Sequence, residues 1–306
     1  MGTAPARRPI PAVQFSDVSA PRISWRTAAV TGATTVLAGS GAGTVSWATY
    51  RLLMTQAGAA RAVIGRDTSK PPEADGVYAP GAQLPEPWRK GVPSDLHLMI
   101  FGDSTAAGLG CLGAADVPGV RLARGLADAT GLRIRLSTKA ISGATSKGLA
   151  GQVDAMFVAG PPPDAAVILV GGNDITKKHS IRASARRLAA AVSRLREADA
   201  LVIVGTCPNL GTVTAIPQPL RTVVANWSVR LAKAQTVATT IAGGIPVAMG
   251  SPLVASEFRA APEILFATDG FHPSAAGYEL AAAQLLPVLV GAVQTRPGLP
   301  VAHGET

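Results

Sequence analysis

Aromatic residues make up only 4% of the 306-residue chain. No series of rings is present on which nucleic-acid bases could stack. There are two cysteines, Cys111 and Cys207, too few for a disulfide framework or a thiolate zinc site. The cysteines and the four histidines show no zinc-ligand spacing, so no metal is implied. Nor is a nucleotide cofactor implied. Acidic residues are scarce: 19 Asp and Glu stand against 28 Lys and Arg, for a net charge of +9. The excess is spread along the chain, with ten basic and six acidic residues in 1–95 and 18 and 13 in the remainder. A spread excess suits a neighbour of anionic membranes and argues against a nucleic-acid partner.

Apolar residues reach 47%, so a sizeable core can be built from Ala, Val, Leu and Ile. The length allows one α/β domain of about 200 residues with extensions. Residues 1–26, rich in Pro, Ala and Arg, read as a disordered basic tail. Residues 27–50 carry no charge and anchor the reading of 27–54 as a hydrophobic helix and signal anchor. A cleaved signal peptide and an amphipathic helix lying on the domain stay open as alternatives. The anchor reading implies a cell-membrane protein with its catalytic domain outside the cytoplasm. Residues 55–94 hold six prolines between 71 and 93 and read as a linker. The folded domain is expected over 95–293, with a disordered tail over 294–306.

Within 95–293 strand and helix patterns alternate. Residues 96–101 read as the first strand, and 165–170 and 201–204 are continuous apolar runs, as in parallel strands buried on both faces. Residues 133–136 alternate as an edge strand does, and 245–249 form a fifth strand. Helices are expected over 120–130, around 181–195, over 222–241 and over 275–293, the last kinked or interrupted at Pro287. The alternation predicts a three-layer α/β sandwich on a mostly parallel five-stranded sheet.

Strand ends are where such sheets gather their ligands. The first apolar run stops at Gly102-Asp103-Ser104. A tight turn there points a serine hydroxyl out at the carboxyl end of the strand. By itself the triplet equally describes a turn with a capping serine. Ser142-Gly143-Ala144 follows the second strand, Gly171-Gly172-Asn173-Asp174 the third, and Asp269-Gly270-Phe271-His272 precedes the last helix. Acyl transfer by a serine needs a base, a group that orients the base, and donors for the oxyanion. His97 lies in a strand, His179 follows two lysines at a helix start and reads as solvated, and His303 lies in the tail. His272 alone has a carboxylate, Asp269, three residues earlier in the same loop. Asn173 can offer a side-chain amide, and Gly143 a backbone N–H without a Cβ in the way.

In order, Gly102-Asp103-Ser104, Gly143, Gly171-x-Asn173-Asp174 and Asp269-x-x-His272 resemble the four blocks of the SGNH or GDSL-type hydrolase family. The resemblance covers about residues 95–293 and departs at Thr105, where the family often has leucine. The run Gly-Asp-Ser-Thr-Ala-Ala-Gly is similar to a subgroup of actinobacterial cell envelopes. The resemblance implies a flavodoxin-like sandwich and metal-free esterase or lipase chemistry. It implies Ser104 as nucleophile, His272 as base and Asp269 as its orienting group. Ser104 N–H, Gly143 N–H and the Asn173 amide would form the oxyanion hole. Asp103 and Asp174 are assigned to loop hydrogen bonding.

The expected activity is therefore hydrolysis of a small-molecule or lipid ester through an acyl-enzyme. Alternatives are acyl transfer or deacylation on an envelope lipid or glycan, and a non-catalytic envelope protein that binds glycan or lipid. Lys177, Lys178, Arg182, Arg186, Arg187, Arg194 and Arg196 make one helix strongly basic. It reads as a solvated face, with an anionic membrane surface as the competing partner. Cys111 and Cys207 are expected as free thiols near the strand-end face.

Overall fold

The computed structural model describes residues 42–64, 70–82 and 84–296. Six strands form one sheet: β1 (Gly76–Tyr78), β2 (Leu96–Gly102), β3 (Ile134–Thr138), β4 (Ala165–Leu169), β5 (Leu201–Gly205) and β6 (Ile245–Val247). Their order is β1-β3-β2-β4-β5-β6, and every neighbouring pair is parallel except β1 with β3. The helices are α1 (Ala42–Ile64), α2 (Ser104–Ala107), α3 (Pro118–Thr130), α4 (Leu149–Ala159), α5 (Gly172–Thr176), α6 (Ile181–Glu197), α7 (Leu220–Ile241), α8 (Pro252–Ala260), α9 (Pro262–Leu265) and α10 (Ala275–Gln294). The sheet and all that packs on it belong to the compact unit that begins at Ala48.

The apolar runs became the centre of the sheet because both of their faces are covered. Every residue of β2 and β4 is buried. Successive side chains point to opposite faces. Leu98, Ile100 and Val167 enter one core with Leu122 and Leu126 of α3 and Leu285 and Leu289 of α10. Met99, Phe101 and Ile168 enter the other with Val153 of α4 and Leu188 and Val192 of α6. Two helical layers thus sandwich the sheet, and α7 packs against α6. Each large side chain so buried contributes about 1.5–3 kcal/mol.

The local signals act where they stand. Pro118 opens α3, where its missing N–H costs nothing, and Gly131 closes it with φ 73. Ser180 caps α6, and Ser274 caps α10 through Gly277 N. Pro287 does not interrupt α10, which runs unbroken from Ala275 to Gln294. Burial of Leu285 and Leu289 on either side of the proline holds the helix together.

The sheet carries one strand more than the five read from sequence. β1 lies in the stretch read as linker, and its three residues are all buried. The Tyr78 hydroxyl donates to the Ala74 carbonyl at 2.6 Å inside the core of the α3 layer. Three residues, all buried, in a proline-rich stretch leave no periodicity to read. β1 also covers β3, which is therefore not the edge strand its alternation predicts. The edges are β1 and β6. Of the expected 27–54 helix, residues 27–41 lie outside the described residues. The helix that is described runs from Ala42 through Ile64. Among the described residues α10 alone is long and apolar enough to cross a membrane. That is weak grounds for membrane association, since Tyr278, Leu285 and Leu289 of α10 are buried against the sheet layer.

Candidate active site

Ser104, His272 and Asp269 are joined in a line of contacts where the parallel strands end, and Asn173 lines the same pocket as Ser104. The turn after β2 is held tightly. Gly102 has φ +136, and a Cβ there would stand 1.9 Å from the Leu169 carbonyl oxygen of β4. Only glycine lets the two strands close at this point. The Gln152 side chain of α4 clasps the same residue. Its Oε1 accepts from Gly102 N at 2.8 Å, and its Nε2 donates to Gly102 O at 2.7 Å. A helix side chain thereby supplies the hydrogen bonds that a neighbouring strand would. Asp103 then caps α2, accepting from Thr105 N at 3.0 Å. Ser104 is the first residue of that one-turn helix and is buried.

The Ser104 Oγ lies 2.9 Å from His272 Nε2. On the other side of the ring, His272 Nδ1 lies 2.6 Å from Asp269 Oδ2. An ionised carboxylate only accepts, so the ring proton sits on Nδ1 and Nε2 is left to accept from the serine. Asp269 also orders its own loop, accepting from Phe271 N at 2.9 Å and His272 N at 3.0 Å through Oδ1. The loop is stitched at its base, where Ala267 N donates to His272 O at 2.8 Å and Ser274 N to Leu265 O at 2.9 Å. Burial tends to raise the Asp269 carboxyl, but the hydrogen bonds from His272 and Phe271 prevail and hold it below the usual carboxylate range. It is thus ionised beside the imidazole.

The Asn173 amide, on α5 after β4, donates to the Ala144 carbonyl at 3.0 Å. One of its two N–H groups is used in that bond and the other remains. The contact brings Asn173 alongside Gly143 in the loop after β3. Gly143 has φ +77, and a Cβ built there would meet nothing within 4 Å. The glycine is demanded by backbone conformation, not by the space expected from sequence. Lys177 Nζ donates to the Gly143 carbonyl at 2.7 Å and fixes the loop from outside.

Asp174 is buried and accepts from Ser146 N, Ser146 Oγ and Ser184 Oγ at 2.9, 2.7 and 2.7 Å. His179 Nδ1 lies 3.3 Å from the same carboxylate. His179 is therefore paired, contrary to the solvated side chain expected from its lysine neighbours. Ser146, Ser184 and Gln152 went unnoticed in the sequence, because their partners lie 10 to 50 residues away. His97 is buried in β2 with Nε2 2.9 Å from Ser137 Oγ, and burial is the chief reason its pKa falls to about 4. Cys111 and Cys207 are free and buried.

An apolar pocket opens beside Ser104. Asn173, Phe271, Val213, Val254, Phe258 and Tyr278 line it with Ser104. Among the described residues no group of three His, Cys, Asp or Glu could hold a metal ion.

Residues 100–280 match the GDSL-like lipase/acylhydrolase family. The chain is 57% identical over 259 residues to a GDSL-like esterase of Mycobacterium tuberculosis, an alignment covering 85% of this chain and 82% of that one. Solved structures share the fold. The psychrotrophic esterase EstA of a Pseudoalteromonas species is 19% identical, with a TM-score of 0.52 over 66% of this chain and 100% of that one. A lipase/acylhydrolase of Enterococcus faecalis is 21% identical, with a TM-score of 0.50 over 64% of this chain and 96% of that one.

Proposed function

The chain belongs to the GDSL-like lipase/acylhydrolase family, whose chemistry is ester hydrolysis, and on that premise we propose that it cleaves carboxylic esters through an acyl-enzyme formed on Ser104. The observation that carries the reading is the 2.9 Å contact of Ser104 Oγ with His272 Nε2, backed by Asp269 at Nδ1. In the reaction, Ser104 Oγ attacks the ester carbonyl carbon while His272 Nε2 takes its proton. The carbonyl π electrons move onto oxygen, and that oxyanion receives hydrogen bonds from Ser104 N–H, Gly143 N–H and the free Asn173 N–H. Collapse expels the alkoxide, which leaves with the proton from His272. Water, activated by the same nitrogen, then attacks the acyl-enzyme and releases the acid and the serine.

The apolar pocket supports an aliphatic acyl group as the part that is bound, with the alcohol portion toward solvent. A hydroxyl of a lipid or glycan in place of water would make the same site an acyltransferase. The uncharged residues 27–50 support a membrane-associated protein, and we place its catalytic domain outside the cytoplasm. Recovery of the full-length protein wholly in the cytosolic fraction would refute that location. A labelled fluorophosphonate tests the chemistry. The expected result is one covalent adduct at Ser104, mapped by peptide mass spectrometry, and no adduct in Ser104→Ala. Absence of labelling in the folded wild type would overturn the reading.

A further inference from the structure

We infer that the part of α1 from Ala48 onward is a positioning element of the acyl pocket, and that it acts through Gln56. The inference rests on the reading of that pocket as the acyl site. The pocket wall includes Leu210 and Val213, which belong to the chain between β5 and α7. That connection, residues 206–219, has only one short turn of 3-10 helix, Leu210–Thr212, to give it shape. Long connections of this kind are held by packing from outside.

Gln56 supplies the hold. Its Nε2 donates to the Gln218 carbonyl, and its Oε1 accepts from Leu220 N at 3.2 Å. Leu220 opens α7, and its N–H is one of the first-turn donors that have no partner within their own helix. One side-chain amide, more than 160 residues distant in sequence, thus grips both flanks of Pro219, where the pocket loop passes into α7. The contact is apolar as well. Ala60 is buried in one cluster with Ile175, Val213 and Ile216. Ile175 belongs to α5, two residues past Asn173. On that flank Lys178 Nζ meets Met54 Sδ at 3.1 Å. From Ala48 onward α1 is therefore bonded through Gln56 to the end of the pocket loop, meets Lys178 just past the short helix that carries the Asn173 amide, and shares an apolar cluster with Val213 of the pocket wall. A mere tether needs no side chain engaged twice with the backbone of the domain it tethers.

Such a brace acts on the binding of a long acyl chain and leaves attack on a short one alone. The full-length enzyme and Gln56→Met, which keeps the volume and helix propensity but loses both hydrogen bonds, are to be compared on p-nitrophenyl acetate and p-nitrophenyl octanoate. KM for the octanoate should rise about tenfold, the effect of losing one or two hydrogen bonds, with kcat and KM for the acetate within about twofold of wild type. Gln56→Glu keeps an acceptor for Leu220 N and should fall between the two. A variant that loses both activities in the same proportion, or neither, overturns the inference. If Gln56→Met does not fold, Gln56→Glu carries the same comparison, and equal losses on both esters there would overturn it. A wild type that hydrolyses neither ester, with Ser104 unlabelled by a fluorophosphonate, would instead refute the esterase reading.

Discussion

Asp174 and Ser146 meet twice, at 2.9 Å through the serine N–H and at 2.7 Å through its hydroxyl. The pair ties the loop that carries Gly143 to the helix that carries Asn173. Two proposed oxyanion donors from different strand ends are therefore linked through a carboxylate that bonds neither Ser104 nor His272. Ser146→Ala should keep the backbone bond and lose the hydroxyl bond, lowering kcat severalfold with stability down by about 1 kcal/mol. Asp174→Ala leaves three buried donors without an acceptor and should cost about 3 kcal/mol or more. Melting temperature and kcat measured on both variants check this, and full kcat in Ser146→Ala would show that the Gly143 loop holds itself.

For the reacting groups, Ser104→Ala and His272→Ala should each lower turnover by orders of magnitude with the fold intact. Asp269→Asn should also be severe, since an amide in its place no longer fixes the proton on Nδ1. Asn173→Ala should cost on the order of 10²-fold in kcat, the scale of one lost oxyanion donor. Steady-state kinetics on a single ester decide, and wild-type turnover in Ser104→Ala would refute the nucleophile.

Two carboxyls should give the stability opposite pH dependences. Burial lifts the Asp103 carboxyl to about 6, over the lowering effects of hydrogen bonds from Thr105 and Gly171 and of nearby His272. The folded state thus favours its protonated form. That contribution is complete below the ordinary value of 3.8 and is lost as pH rises through about 6. Asp269, held low, contributes above its ordinary value of 3.8 and loses that contribution as pH falls through the folded one. In Asp103→Asn the stability difference from wild type should therefore change between about pH 4 and pH 6, by on the order of 3 kcal/mol. Denaturant unfolding at both ends of that window measures it, and a constant difference would mean that Asp103 does not titrate there.

The cysteines should be inert in the folded protein. Burial is the main cause that lifts the Cys111 thiol to about 12, and it raises Cys207 well above its usual range too. Little thiolate is then present at neutral pH. Alkylating reagents should modify both only after unfolding, and reductant should leave activity unchanged. A mass increase that needs reduction before alkylation would reveal a disulfide instead.

How much of this was legible in the sequence follows from distance along the chain. The central strands were plain because residues 165–169 are apolar without interruption and need two covered faces. The candidate site residues stand out because each block is local: Asp269 and His272 are three apart, and Gly102 adjoins Asp103 and Ser104. β1 was not legible, since a three-residue strand has no period and its burial depends on β3 pairing with it 56 to 60 residues later, Gly76 opposite Leu136 and Tyr78 opposite Ile134. Gln152 and Gln56 were equally hidden. A glutamine on a helix reads as a solvated side chain until the backbone it bonds has been brought to it. The pocket wall, drawn from α8, the loop before α7 and the His272 loop, exists only once those pieces are assembled.

The clasp of Gln152 on Gly102 bears on the timing of order in this enzyme. Both backbone groups at the end of β2 are satisfied by a helix that is itself packed into the core through Val153 and Met156. The turn that presents Ser104 is therefore held by the folded domain itself, by α4 on one side and by Ile141 N, which donates to Gly102 O at 3.1 Å, on the other. On the proposed mechanism the ester meets a serine already set against its imidazole, and the approach to the transition state asks little further rearrangement of this strand end. What is settled once in the life of the folded molecule is not repeated at each turnover.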